Sequence, residues 1–192
     1  MTDTLPHFTH VLGLVLIGAG LIGVFVTDLR SRQLRDLALF AEAIRNIAVF
    51  YDGLVVPGAV LLAGSGIWLI VSQYGGWQFL EVPWLAGMVG LFLFEFIEGN
   101  TVTRLYFLRL RRLSREALEN GRVSAELEQA RRHHLPTFTH FLDLPVLFVI
   151  VALGATRPQS WSALATGLGL AVVMATVLTL ILPRLYPWQP GK

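Results

Sequence analysis

The chain has 192 residues, of which 54% are hydrophobic and only 15% are charged, and its mean hydropathy is +0.61. A soluble domain carries roughly 25% charged residues, so this composition argues against a soluble enzyme, a nucleic-acid-binding protein and a disordered chain. The net charge of +2 fits no nucleic-acid partner either. Because the chain has no cysteine, disulfides, thiolate metal sites and iron–sulfur clusters are excluded. We therefore expect an integral membrane protein that folds as a single all-α transmembrane bundle.

Five apolar stretches are long enough to cross a bilayer as helices, which takes about 20 residues each. They cover about 8–27, 54–74, 84–104, 135–153 and 161–182. Two further segments are predicted to be helical and cytoplasmic. The first, about 34–50, is amphipathic, and the second, about 105–132, continues the third span and breaks near Asn120-Gly121.

The distribution of basic residues predicts how the spans are oriented. Fourteen of the fifteen Lys and Arg residues fall on one side of the five spans, and only Arg157 falls on the other. By the positive-inside rule, the N-terminus is outside and the C-terminus inside. We expect a multi-pass protein of the bacterial inner membrane. The arginine-rich segment 105–132 would contact anionic lipid headgroups or, alternatively, dock a membrane-protein partner.

The first span contains a G-x-G-x-x-G pattern at Gly18–Gly23. A dinucleotide-binding site would need a strand before these glycines and a helix beginning at them, and neither is predicted here. The small residues instead predict a helix face on which another helix or a flat cofactor can come close. Helix packing is the commoner cause of such a face.

Ionisable residues at membrane depth are candidates for function because they are costly to bury there. The third span carries Glu95 and Glu98, and the fourth carries His140 and Asp143. Each pair is spaced i, i+3 and shares a helix face, and both pairs lie at the same predicted depth. If the two helices are neighbours, the four groups could form a proton relay, a divalent metal site or a haem environment, with at least one carboxyl group protonated. The alternative is a structural cluster satisfied by arginines such as Arg45 and by shared protons.

Two histidines follow a proline near the start of a span. His10 lies on the outer side of the first span and His140 on the inner side of the fourth, in segments 6–12 and 136–142 that share Pro, Phe, Thr, His and Leu in register. The match indicates either an inverted repeat or a coincidence of helix-start residues. Both histidines are candidate ligands for haem iron. His10 and His140 lie near opposite membrane faces, too far apart to share one iron.

Three short motifs carry a resemblance to a known family. They are His10-Val11-Leu12-Gly13, the segment from Phe50-Tyr51 through Pro57-Gly58 and Leu62 to Gly66-Ile67-Trp68, and Asp143-Leu144-Pro145-Val146-Leu147 through Arg157-Pro158. In these motifs the chain resembles small bacterial membrane haem proteins of the HemJ type, which oxidise protoporphyrinogen. It also resembles an uncharacterised family of predicted integral membrane proteins that begins with the same histidine helix.

The HemJ-type resemblance implies a haem b bound through His10, because the first-helix histidine of that family is its haem ligand. The histidines in that family's third helix have no counterpart in this chain, which has Glu95 and Glu98 there. This chain also has five predicted spans, whereas proteins of that family have four helices. The glycine-rich face beside His10 would supply the flat apolar slot that haem needs.

Three functions follow from these patterns. The first is a haem b protein for electron transfer or tetrapyrrole oxidation, and so a haem-dependent membrane oxidoreductase. His10 and His140 would be its cofactor- and iron-binding residues, and Glu95, Glu98 and Asp143 its catalytic, proton-handling groups. The second is a transport or assembly subunit without haem that uses the carboxylate–histidine cluster for protons or a metal ion. The third is a structural partner subunit of a membrane complex.

Overall fold

A computed structural model describes residues 4–189, and within that range the chain is helical and contains no strand. The eight α-helices are α1 (Thr4–Arg32), α2 (Leu37–Phe50), α3 (Val56–Tyr74), α4 (Pro83–Glu98), α5 (Arg104–Asn120), α6 (Ala125–Arg131), α7 (His134–Thr156) and α8 (Trp161–Leu185). A 3₁₀ helix at Gly76–Glu81 connects α3 to α4.

Two π-helical turns each join two consecutive α-helices into one long continuous helix. The first π turn (Tyr51–Val55) joins α2 to α3, and the second π turn (Gly99–Thr103) joins α4 to α5. Five segments of the described chain are long and apolar enough to cross a membrane: Thr4–Arg32, Leu37–Tyr74, Pro83–Asn120, His134–Thr156 and Trp161–Leu185. The expected all-α bundle with five spans is confirmed. The helix simply continues through residues 51–53, where the sequence had suggested a boundary.

The glycine-rich face of α1 is covered by α3. A Cβ atom added at Gly13 would lie 2.7 Å from the backbone nitrogen of Leu62 and 2.8 Å from the carbonyl oxygen of Gly58. Further along α1, a Cβ at Gly20 would lie 2.6 Å from the side chain of Val55. The two backbones therefore touch, and helix packing accounts for this small-residue face.

The other membrane helices pack through large side chains. α7 lies between α4 and α8, and its residues Val146, Ile150 and Leu153 are buried among apolar residues of both neighbours. At one end of the bundle, α2, α5 and α6 form a separate apolar core around Ile44, Leu110 and Leu127.

The helices of this last core carry seven of the fourteen arginines, five of them on α5. We call this part of the molecule the arginine-rich end. Trp84 and Arg157 lie at the opposite end, where the Arg157 guanidinium stacks on the Trp84 ring. This segregation agrees with the charge asymmetry of the sequence. The side of the membrane that each end faces stays a prediction.

Candidate functional site: a buried carboxyl cluster

Three acidic side chains meet inside the bundle. Glu95 and Glu98 lie at the end of α4, and Asp143 lies in the neighbouring helix α7. One carboxylate oxygen from each residue lies within 4.8 Å of the others. Glu98 and Asp143 are buried, and Glu95 is partly exposed. The i, i+3 spacing and the shared depth expected from the sequence therefore do bring these three groups together, and we call them the carboxyl cluster.

The second π turn holds Glu98 in place. In a π-helix, residues five apart face each other, and the Thr103 hydroxyl accordingly donates a 2.7 Å hydrogen bond to Glu98 Oε1. Thr103 also lies 3.2 Å from the Thr139 hydroxyl of α7, so the same threonine connects the two helices. The first π turn lies opposite, because the Tyr51 hydroxyl lies 3.5 Å from the position that a Cβ of Gly99 would occupy. Such turns are frequent at functional sites.

His140 lies between two acidic groups. Its Nδ1 is 3.7 Å from Asp143 Oδ2, and its Nε2 is 4.0 Å from Asp28 Oδ2 on α1. The ring is 3% exposed and packs edge-on against Phe107. Both distances are too long for a hydrogen bond, so neither ring nitrogen has a hydrogen-bond partner among the described residues.

Asp28 is paired with a buried arginine. Arg32 Nε donates to Asp28 Oδ2 at 3.0 Å, and both side chains are at most 2% exposed. The Arg32 guanidinium lies 4.7 Å from the ring centroid of Trp188. The ionisable groups thus follow one another from the arginine-rich end into the bundle, in the order Arg32, Asp28, His140, Asp143.

In the described part of the chain, no arginine pairs with the carboxyl cluster. Arg45 pairs with Glu42 at 3.7 Å, and Arg104 pairs with Asp52 at 2.9 Å, both outside the cluster. A structural cluster therefore cannot rely on Arg45 and would have to be satisfied by shared protons. Within residues 4–189, neither oxygen of Asp143 receives a hydrogen bond, and nor does Glu98 Oε2.

Buried carboxylates without donors or counter-charges are costly, and like charges this close cannot all be ionised. The cluster must therefore share protons or bind a cation. Oxygen ligands of this type suit hard divalent cations, including manganese, and an imidazole such as that of His140 extends the range to iron and zinc.

A narrow cleft of about 170 Å³ leads to the carboxyl cluster. It lies between the α1–α3 pair on one side and helices α4 and α7 on the other. Most of its walls are apolar, and Leu14, Ile17, Val60, Leu62 and Phe92 contribute to them. Glu95 and Asp143 line its polar end, toward the arginine-rich end of the bundle.

His10 lies in a different place, between α1 and α3. Its Nδ1 is 3.1 Å from the Ser65 hydroxyl, and that hydroxyl donates its own proton to the Leu61 carbonyl at 2.6 Å. The Ser65 oxygen must therefore accept a hydrogen bond from the N–H group at His10 Nδ1, which leaves the lone pair of the ring on Nε2. A hydrogen bond made by the other ring nitrogen is how a ligating histidine is commonly oriented.

The structure does not bring His10 and His140 together. His140 lies beside Asp28, which follows His10 by 18 positions in α1, or roughly 27 Å along the helix. The two histidines therefore cannot bind one iron, as the sequence led us to expect.

Several residues of this site escaped sequence analysis. Asp28 and Arg32 follow the predicted end of the first span, where charged residues commonly flank a membrane helix. The sequence around Tyr51 and Thr103 does not predict that they lie at a polar site, because π turns have no simple sequence pattern. An i, i+4 acid–arginine pair after a span would have been a usable signal.

The arginine-rich surface of α5 is largely paired with acids. Arg109 bonds Glu126 at 3.0 Å, and Arg112 and Arg115 lie 3.7 and 3.9 Å from glutamates one turn away on α5. These exposed pairs neutralise part of the charge that the sequence assigned to lipid or partner contacts.

A family comparison agrees with this architecture. Residues 4–158 match the family described as "Predicted integral membrane protein (DUF2269)", so the chain belongs to that family. The resemblance to an uncharacterised family of integral membrane proteins is thus confirmed, and the HemJ-type likeness stays a resemblance. No curated protein and no solved structure matches the chain.

Proposed function

We propose that this family member is a membrane transport protein, or a subunit of one, that binds a cation at the carboxyl cluster in exchange for protons. The observation that carries the proposal is the convergence of Glu95, Glu98 and Asp143 within 4.8 Å, with both Asp143 oxygens buried and without a donor. A purely structural polar group in a membrane protein normally finds a partner, because leaving it unsatisfied in low dielectric is costly.

Each group has a distinct part in this exchange. Glu95 is partly exposed at the polar end of the cleft and would meet the cation first. Glu98 is fixed by Thr103 and provides a charge in a set position. Asp143 completes the site from α7. His140 stands between Asp143 and Asp28, where its imidazole can receive a proton displaced from the cluster.

Proton release on cation binding tests this function. Purified protein in nanodiscs is titrated with Mn²⁺ and, separately, with benzylamine, which is cationic at neutral pH because the pKa values of such amines lie well above 7. Calorimetry in buffers of different ionisation enthalpy counts the protons released. We expect release from wild-type protein with at least one probe and none from Asp143→Asn.

The matched control is Asp52→Asn, which removes an exposed acid that is paired with Arg104 outside the cluster. This variant should release protons as the wild type does. If neither probe releases protons from the wild-type protein, the proposed exchange is wrong.

A second candidate function is haem b binding at His10, for electron transfer or tetrapyrrole oxidation. What favours it is the Ser65 contact, which orients the ring and leaves Nε2 with a lone pair for a metal. The flat slot expected at the glycine-rich face beside His10 is filled by α3 at Gly13 and Gly20, so haem would have to lie elsewhere around the ring. Haem would supply redox chemistry there. An absorption spectrum of protein from haem-replete cells tests it. A Soret band that shifts on reduction and is lost in His10→Ala, but kept in the exposed-histidine control His133→Ala, supports haem, and a colourless protein overturns it.

A further inference from the structure

We infer that the cation taken by the carboxyl cluster is organic, an ammonium group carried on a ring-sized or short alkyl apolar body that occupies the cleft. The inference rests on the proposed function and names its substrate class. The first reason is access. The cluster opens into the cleft, whereas His140, Phe107 and Thr103, each at most 4% exposed, close it toward the arginine-rich end.

The second reason is the chemistry of the cleft walls. Apart from the carboxyl groups, Asn100 and the Tyr51 ring at the polar end, the lining side chains are aliphatic or phenylalanine. A hydrated metal ion would have to lose its water along such walls, which is costly in an apolar medium. An amphiphile instead places its apolar body against them and its charge beside Glu95 and Asp143.

The third reason is that the acid pair is itself incomplete. Asp143 is only 3% exposed, faces the cleft and receives no hydrogen bond from a nitrogen or hydroxyl group within the described part of the chain, so that only a proton shared with the neighbouring carboxyl groups can satisfy it. Glu95 faces the same end of the cleft and is partly exposed. An ammonium group offers three donors and one positive charge, which together satisfy this arrangement.

The fourth reason is size. Sites for drug-sized ligands measure about 300–1,000 Å³, whereas an apolar cavity of about 150 Å³ is enough to bind benzene. The cleft of about 170 Å³ therefore accommodates one ring or a short chain.

Calorimetry with a charged and a neutral probe of equal shape tests the inference. Benzylamine and benzyl alcohol are titrated into the protein in nanodiscs, with empty nanodiscs as the reference for partition into lipid. We expect the amine to bind about tenfold or more tightly than the alcohol and to release protons. Glu95→Gln should abolish this preference without changing alcohol binding. Glu81→Gln, which changes an exposed residue of the 3₁₀ helix between α3 and α4, should keep it.

A second pair of variants tests the place of binding. Val60→Phe puts a larger side chain into the cleft and should weaken both probes about tenfold. Val71→Phe enlarges an equally exposed valine three turns further along α3, outside the cleft, and should change neither. Both valines are more than 60% exposed, so both variants should fold.

Each outcome decides the question. Equal binding of amine and alcohol, or a preference that survives Glu95→Gln, overturns the inference. Proton release by Mn²⁺ alone also overturns it but leaves the proposed function standing. If neither cation releases protons, the proposed function fails as well.

Discussion

Two buried aspartates flank His140, and they are held in opposite ways. Asp28 has an arginine 3.0 Å away, and that arginine stacks on Trp188 at the arginine-rich end. Asp143 lies 3.7 Å from the same imidazole, but it shares its surroundings with two further carboxyl groups and has no donor among the described residues. The comparison teaches that burial alone does not define the site. Asp28 has its charge compensated by an arginine, whereas Asp143 has no such partner among the described residues and is available to bind a cation.

Removing the charge of Asp28 should give the largest effect. Asp28→Asn leaves Arg32 buried and without its counter-ion, and breaking a buried pair costs about 3–5 kcal/mol. We expect this loss in the free energy of unfolding, measured by denaturation in mixed micelles and followed by circular dichroism. The exposed-pair control Asp52→Asn should cost less than about 1 kcal/mol. Equal losses in the two variants would show that the Asp28 pair does not stabilise the fold.

Removing a residue that packs against Arg32 should cause a smaller loss in the free energy of unfolding. Trp188 stacks on Arg32 and donates a 2.8 Å hydrogen bond to the Arg131 carbonyl. Trp188→Leu should therefore cost about 2 kcal/mol of unfolding free energy. The control is Trp68→Leu in α3, which is 59% exposed and should cost little. If Trp188→Leu leaves the free energy of unfolding unchanged, Trp188 does not support Arg32 as proposed.

Removing the charge of Asp143 should change stability in the opposite direction. Asp143→Asn relieves repulsion within the carboxyl cluster and should raise the free energy of unfolding by about 1 kcal/mol. The same variant should lose cation-coupled proton release. Denaturation in mixed micelles, carried out on both variants, should show a higher free energy of unfolding for Asp143→Asn and a lower one for Asp28→Asn. A loss as large as that of Asp28→Asn would make Asp143 a structural residue.

The smallest effect should come from the threonine that positions Glu98. Thr103→Val keeps the shape of the side chain but removes its hydrogen bond, at a cost of about 1 kcal/mol. It should also weaken cation binding severalfold, which a purely structural threonine would not do. Thr101→Val is the control, because Thr101 is exposed and bonds only to the backbone of its own helix. Calorimetry in nanodiscs would show the difference, and equal affinities in the two variants would refute the positioning role.

Much of the fold follows from sequence periodicity. The five spans, the break at Asn120-Gly121 and the shared level of Glu95, Glu98 and Asp143 all follow from apolar run length and from 1.5 Å of rise per residue. The glycines of α1 similarly indicated a close helix contact before its partner was known. These properties depend only on position along a helix, which local sequence dictates.

What the sequence by itself determined is therefore depth along the membrane normal. The tertiary structure alone decided which helices are neighbours, and so placed Asp28 and Arg32 beside His140 and Tyr51 beside Gly99, and opened the cleft beside Glu95. Side-chain packing between helices far apart in the chain selects these neighbours. Its energy is spread over many weak contacts that no short motif encodes.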